Sequence, residues 1–420
     1  MLLNEYDKPT KAHYRILLMS WAGWVFDFYD LILYTFLLTM IGKELNLSNQ
    51  DLSYVLGASL AATAIGGVVF GVLSDRYGRK TVLQWTILTY SLGTFLCGFS
   101  TGLWSLIAFR IITGLGVGGE WATGQTYVGE TFHPKVRGRY GAYMQTGAPI
   151  GIAVASVIGG FVAPEIGWRL SFIVSVLPAV LVIYIRRSLP ESDFWLERKR
   201  VTAQRAQVSG VPVHKEKSRL LLLFSQTYRK QFILVLVLAT LDMTAYWFTY
   251  SWLPGYLQQQ RQFSLVKSAL WMLITQTGGF IGYTSFGFVA DKLGRRPAYS
   301  IYSFIMALGL LMITLMWDAI AANPSVILLF MFLVGFGTGM FGGYGPLISE
   351  LFPTGIRSTA MGTAFNIARG LQFFTPVTIA TIAERHGLGT GISFAAIFAL
   401  LTGIWIWTFP ETKGRKLQDS

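Results

Sequence analysis

The sequence predicts an all-α integral membrane protein with twelve transmembrane helices arranged as two pseudo-symmetric six-helix bundles. Three observations predict it. Apolar runs of about 20 residues, the length that crosses a hydrocarbon core about 30 Å thick, recur along the chain. One long polar segment, residues 187–230, divides these runs six and six. A loop motif then recurs at the same place in each half.

The chain is 53% hydrophobic and only 13% charged over 420 residues, too apolar for a surface solvated by water. The runs are 16–41, 52–73, 81–99, 104–127, 138–161 and 167–186 in the first half, then 231–256, 267–289, 298–317, 325–349, 358–383 and 389–409 in the second. Residues 1–186 thus form an N-terminal bundle, 187–230 a linker on the cytoplasmic side, and 231–420 a C-terminal bundle. The first run is too long for the apolar core of a cleaved signal, so it reads as a retained span.

A net charge of +13 raises nucleic acid as a partner, but the basic residues lie mostly between the runs and act as topology determinants. With both termini cytoplasmic, the inner segments collect Lys8, Lys11, Arg15, Arg76, Arg79, Lys80, Lys135, Arg137, Arg139, Lys292, Arg295, Arg296, Arg357, Lys413, Arg415 and Lys416. The outer ones keep Lys43, Arg261, Lys267 and Arg385. This is the distribution that the positive-inside rule demands, and a plasma or cell inner membrane is the expected location. Cys97 is the single cysteine and the four histidines are scattered, so neither a thiolate cluster nor an HExxH spacing exists, and no metal or cofactor is expected. No Gly-x-Ser-x-Gly elbow or Cys/His pairing suggests an enzyme.

The repeat is carried by the loops after spans 2 and 8. Gly71, Asp75, Arg76, Gly78, Arg79 and Lys80 recur as Gly287, Asp291, Lys292, Gly294, Arg295 and Arg296, an offset of 216 residues. Further on, Glu130, Pro134 and Arg137 are echoed by Glu350, Pro353 and Arg357.

These residues resemble the major facilitator superfamily of secondary transporters, whose signature between spans 2 and 3 is G-x-x-x-D-[RK]-x-G-R-[RK]. Pro190-Glu191-Ser192 and Pro410-Glu411-Thr412-Lys413-Gly414 are similar to elements of the same superfamily. A finer likeness rests on Asp27-Phe28-Tyr29-Asp30, with Phe28 where glycine is usual, on Gly118-Gly119-Glu120-Trp121, and on Asn366-Ile367-Ala368-Arg369. They look like the sialate and lactate branch of proton symporters, and the D-x-[FY]-D element of span 1 is also similar to that of aromatic-acid symporters. The resemblance implies proton-coupled uptake of a small organic carboxylate, lactate-like, sugar-acid or aromatic, by a protein working as a monomer.

Intramembrane ionisable groups are expensive, so each is a functional candidate. Asp27 and Asp30 stand at i, i+3 on roughly one face of span 1. Two carboxylates in a poorly hydrated cavity disfavour one another's ionisation, which suits the uptake of one proton. The alternative is that one caps a helix break or pairs with a structural arginine. Glu120 is either a second proton carrier or the partner of Arg110. The surrounding glycines, Gly114 to Gly124, suit close helix packing.

Arg369 is the basic residue deep in the second half, and a guanidinium grips a carboxylate through two parallel hydrogen bonds. It is the expected substrate anchor, with Asn366 one turn earlier and Tyr29 and Tyr246 as aromatic wall. An ion pair with Asp242 is its alternative role, and Asp242, near the repeat offset from Asp27, also reads as a remnant of symmetry. Asp75 and Asp291, with Arg79, Arg295 and their neighbours, are expected to gate the cytoplasmic side by meeting helix N-termini or opposing arginines. The alternative makes these loops topology anchors alone. A neutral sugar or polyol as cargo, a membrane sensor and a membrane enzyme remain as competing functions.

Overall fold

A computed structural model describes residue 3, residue 6 and residues 8–412, except 134–136, 177–179, 181, 184, 185, 188, 194, 198 and 201–218. The expected linker therefore lies largely outside the described residues, as do Pro134, Lys135 and the segment 413–420.

Among the described residues the chain is helical throughout, with no strand. Spans 1 to 4 are single helices, Lys11–Leu45, Asn49–Tyr77, Arg79–Cys97 and Leu103–Thr131. Spans 1, 2 and 4 extend past their apolar runs because the helix continues through the polar residues at each end. Eight helices are long and apolar enough to cross a membrane unaided. Of the other four, span 6 begins within Tyr143–Val174, the same helical stretch as span 5, while spans 3, 8 and 11 are richer in Ser, Thr, Gly and Gln and take their places in the two bundles.

The breaks in helicity have local causes. Span 5 runs through Arg137–Gln145 and Gly147–Val157 into a π turn, Ile158–Val162, rich in small residues. Gly167, at φ 79° and ψ 163°, then makes the corner into span 6. Span 7 is interrupted before Pro254 and continues as Leu253–Gln259. Span 10 loosens into a 3-10 stretch at Thr338–Gly343, whose composition is glycine-rich. Span 11 is Thr354–Gly370, a short 3-10 turn, then Phe374–His386.

Within each bundle, small residues let backbones touch. A Cβ on Gly118 would overlap the Thr63 carbonyl, and one on Gly335 would overlap that of Thr275, so spans 2 and 4 and spans 8 and 10 pack in the same manner. Between the bundles, Gly67 and Ala64 of span 2 meet Asn366 and Gly370 of span 11, while Gly160 of span 5 meets Ala269 of span 8. Large apolar side chains such as Phe288 and Trp104 cover the outside, where lipid rather than water is the fitting solvent. Charged groups are instead sequestered inside.

Candidate functional site

Three carboxylates and three guanidiniums, Asp27, Asp30, Glu120, Arg110, Arg186 and Arg369, are buried in the core, together with Asp242. Their partners divide them into distinct roles. Asp30 accepts from Arg110 Nη1 at 2.8 Å and from Thr94 Oγ1 at 2.6 Å. Arg110 also faces the ring of Tyr34 at 5.1 Å. Asp30 is therefore tied to span 4 rather than sharing a proton site with Asp27.

Glu120 likewise has a committed partner, which is Arg186 and not Arg110. Arg186 Nη2 donates to Glu120 Oε1 at 2.6 Å, Thr86 Oγ1 donates to Oε2 at 2.7 Å, and Arg186 further reaches the carbonyls of Leu83 and Met19, both at 2.9 Å. Arg186 closes span 6 beside the basic start of the linker, and nothing in the sequence singles it out for a buried partner. Gly23 makes room for the pair, since a Cβ there would overlap the Glu120 carboxylate.

Asp27 is different. Fully buried, it has neither carboxylate oxygen hydrogen-bonded among the described residues. Its charged neighbours are Glu120, Arg369, Arg186 and Asp30. Glu120 and Arg186 answer each other, and Asp30 answers Arg110, so Arg369 is left as the cation facing Asp27. Arg369 is only 2% exposed, and its Nη1 and Nη2 have no hydrogen-bond partner among the described residues. Its guanidinium carbon sits 5.7 Å from the Trp24 ring centre and 5.9 Å from that of Phe28. An unpaired carboxylate from one bundle thus stands in electrostatic reach of an unpaired guanidinium from the other.

A narrow cavity opens beside Arg369. Trp24, Phe28, Gln145 and Ala148 line it from the first bundle, and Met243, Tyr246, Trp247, Tyr283, Phe341 and Phe365 from the second. Toward the face that carries the signature loops, Phe365 stacks on Trp121 across the bundle interface, 3.8 Å between centroids and 15° between planes. Phe365 precedes Arg369 by one helical turn, about 6 Å along the axis. On the opposite face, Asn49 Nδ2 donates to Gln259 Oε1 at 3.1 Å, and Gln258 Nε2 donates to the Phe36 carbonyl at 3.4 Å. The cavity is bounded in both directions by contacts between bundles.

Several residues expected in the site lie elsewhere. Tyr29 turns to Ser175 of span 6, with which it forms a short hydrogen bond. Asn366 packs its amide over Gly67 while Nδ2 donates to the Gly362 carbonyl at 3.0 Å, so it belongs to the seam between spans 2 and 11. Asp242 accepts from the Tyr344 hydroxyl at 2.8 Å and is not paired with Arg369. Tyr246 does line the cavity, with its hydroxyl unpartnered among the described residues. Phe28, Phe341 and Phe365 escape the sequence reading, because a cavity-facing phenylalanine and a lipid-facing one look alike in sequence.

The repeated loops form two matching clusters inside the bundles. Arg79 grips Glu130 through Nε at 3.0 Å and Nη2 at 2.7 Å, and meets Asp75 at 2.9 Å. Arg295 meets Glu350 at 2.8 Å and Asp291 at 2.7 Å. Glu191 accepts from the backbone N–H of Arg79 and Lys80 at 2.8 and 3.1 Å, and Glu411 from those of Arg295 and Arg296 at 2.9 and 3.2 Å. It is these glutamates, not Asp75 and Asp291, that cap the N-termini of spans 3 and 9. Ser192 and Thr412 complete the sets by donating to Glu130 and Glu350. Gly78 and Gly294 hold φ of 99° and 107° and leave no room for a Cβ beside the capping carboxylates. Gly71 has nothing near its Cβ position, and Arg76 lies over the Tyr77 ring at 5.3 Å. The side chains of Arg137 and Arg357 lie outside the described residues.

Comparison with known proteins agrees with this architecture. The family model described as Major Facilitator Superfamily matches residues 19–376. The chain is 31% identical over 407 residues to the sialic acid transporter NanX of Escherichia coli K12, covering 95% of each chain. It is 28% identical over 404 residues to the cis,cis-muconate transport protein of Acinetobacter baylyi, covering 96% of this chain and 95% of that one. The crystal structure of D-xylose-proton symporter superposes with a TM-score of 0.76 over 96% of this chain and 99% of the other, at 21% identity, a likeness of fold. With the family model running from span 1 into span 11 and a 31% identical transporter aligned nearly end to end, the chain belongs to the Major Facilitator Superfamily and is a multi-pass membrane transporter.

Proposed function

We propose that this transporter couples the movement of a small organic carboxylate to that of a proton, by alternating access of the cavity beside Arg369. The observation that carries the reading is the buried, unpartnered pair of Asp27 and Arg369, one from each bundle. The names of the similar transporters, a sialic acid transporter and a cis,cis-muconate transport protein, point to acids as cargo.

Charge balance supplies the coupling. In the ligand-free form Asp27 and Arg369 offset each other across the interface. A carboxylate that binds Arg369 takes over as its counter-ion, and Asp27 is then an uncompensated charge unless it takes a proton. Occluding an unbalanced charge in a low-dielectric interior costs several kcal/mol, about the penalty per buried ion. Only the doubly loaded and the fully unloaded forms escape that penalty, so only they cross. Asp30 and Glu120, each held by its own arginine, keep the bundle in register instead of titrating.

The loops at Arg79 and Arg295 brace each bundle as a rigid body, and the glycine seam between spans 2 and 11 is where the bundles rock. The protein works as a monomer in a bacterial inner membrane with both termini cytoplasmic. If the cargo is a monoanion the loaded form carries no net charge, so membrane potential, worth about 2.3 kcal/mol per charge per 100 mV, does not drive the cycle. Purified protein in liposomes should concentrate carboxylates under an imposed pH gradient and not under an imposed potential alone. Accumulation of xylose or another neutral sugar, with no carboxylate moved, would replace this reading with a sugar porter.

A further inference from the structure

The walls of the cavity are more informative than its anchor. Seven of its lining residues are aromatic, and they come from both bundles. Phe28 and Tyr246 meet across the interface, 6.0 Å between centroids. Phe365 is held flat by its stack on Trp121. The polar groups on offer are the Arg369 guanidinium, the Gln145 amide, the hydroxyls of Tyr246 and Tyr283 and the indole N–H groups of Trp24 and Trp247. The Tyr246 hydroxyl and the Trp24 indole N–H are buried without a partner among the described residues.

We infer that the cargo is a flat carboxylate, aromatic or conjugated, carrying about one polar ring substituent and not a row of hydroxyls. This rests on the carboxylate reading above and narrows it. The guanidinium takes the carboxylate while Trp24 and Phe28, already beside that guanidinium, flank the carboxylate end of the ring. Aromatic faces reward a planar body through stacking, and they leave a polyhydroxylated one with hydroxyls stripped of water and unpaired. A slot between rings from two bundles also closes fully only on a thin ligand. The Tyr246 hydroxyl serves the single substituent, a ring hydroxyl or ring nitrogen.

The test is counterflow in proteoliposomes with benzoate, 3-hydroxybenzoate, lactate, gluconate, N-acetylneuraminate and xylose, with thermal unfolding of each variant measured without ligand to show that it is folded. The planar acids should half-saturate at concentrations at least about tenfold below those of gluconate and N-acetylneuraminate, the scale of one buried hydroxyl left unpaired. Phe365→Ala should shrink that gap to under about threefold, and Tyr246→Phe should abolish any advantage of 3-hydroxybenzoate over benzoate. A sugar acid that half-saturates at or below benzoate would overturn this inference and leave the carboxylate reading standing. Transport of xylose with no acid moved, or of none of the six compounds, would overturn both.

Discussion

Asp30 and Arg110 form a 2.8 Å ion pair wholly inside the first bundle, and this pairing separates Asp30 from Asp27 although the two stand one helical turn apart. The separation decides which carboxylate is free to respond to protons and cargo. Asp30 has two donors on it, from Arg110 and Thr94, whereas Asp27 has none among the described residues.

Neutralising the two aspartates should therefore give different outcomes. Asp27→Asn leaves Arg369 beside the cavity, where a bound carboxylate can answer it, so this variant is expected to unfold closer to wild type than Asp30→Asn when carboxylate is present, to bind and exchange carboxylate, and to lose uphill accumulation. Asp30→Asn leaves Arg110 buried without its counter-ion, which costs about 3–5 kcal/mol and should appear as a lower unfolding temperature in detergent. If Asp27→Asn still accumulates cargo against a gradient, Asp27 is not the proton carrier.

Arg369→Lys keeps the charge and removes the planar fork. Loss of charge-assisted hydrogen bonds worth about 1.5–3 kcal/mol predicts a drop of about ten- to hundredfold in uptake efficiency. The loss should fall mainly on the half-saturating concentration. Unchanged uptake kinetics would place the cargo elsewhere.

The Glu120 and Arg186 pair makes a stability prediction of its own. Either Glu120→Gln or Arg186→Met should destabilise by about 3–5 kcal/mol, because each leaves one buried charge unpaired. The double variant should recover a large part of that loss. Strictly additive losses in thermal unfolding would show that the two side chains are not coupled.

Gly78→Ala and Gly294→Ala should each cost about 1–3 kcal/mol, since their backbone lies in a region open essentially to glycine alone. Their added Cβ would also press on the carboxylates of Glu191 and Glu411. Gly71→Ala, in the same motif, should be neutral, because open space surrounds that position. Equal sensitivity of Gly71 and Gly78 in thermal unfolding would refute this local origin of the strain.

Much of this architecture is legible in the sequence, and the reasons are physical. Apolar run length reports membrane crossing directly, and the loops around Arg79 and Arg295 recur because each half solves the same capping problem. The cost of burying charge is enough to single out Asp27, Asp30, Glu120, Arg110 and Arg369 from the order of residues alone. Their pairing is hidden, because it depends on the rotation of each helix about its axis, which periodicity does not report in a chain that is apolar all round. The same ambiguity conceals the cavity walls. Phe28 departs from the glycine usual in its motif and is the one available hint, whereas Phe341 and Phe365 carry none. Tyr29 and Asn366 show the converse: adjacency in sequence to Asp30 and Arg369 does not bring a side chain to the cavity.

In the proposed cycle, proton and anion meet at Asp27 and Arg369 and cross together. The most direct measurement follows luminal pH with a trapped dye while a carboxylate gradient is applied to proteoliposomes. Wild-type protein should acidify the lumen as the anion enters, and Asp27→Asn should admit the anion by exchange with no proton movement. Anion entry without acidification in the wild type, or identical acidification in Asp27→Asn, would contradict this coupling.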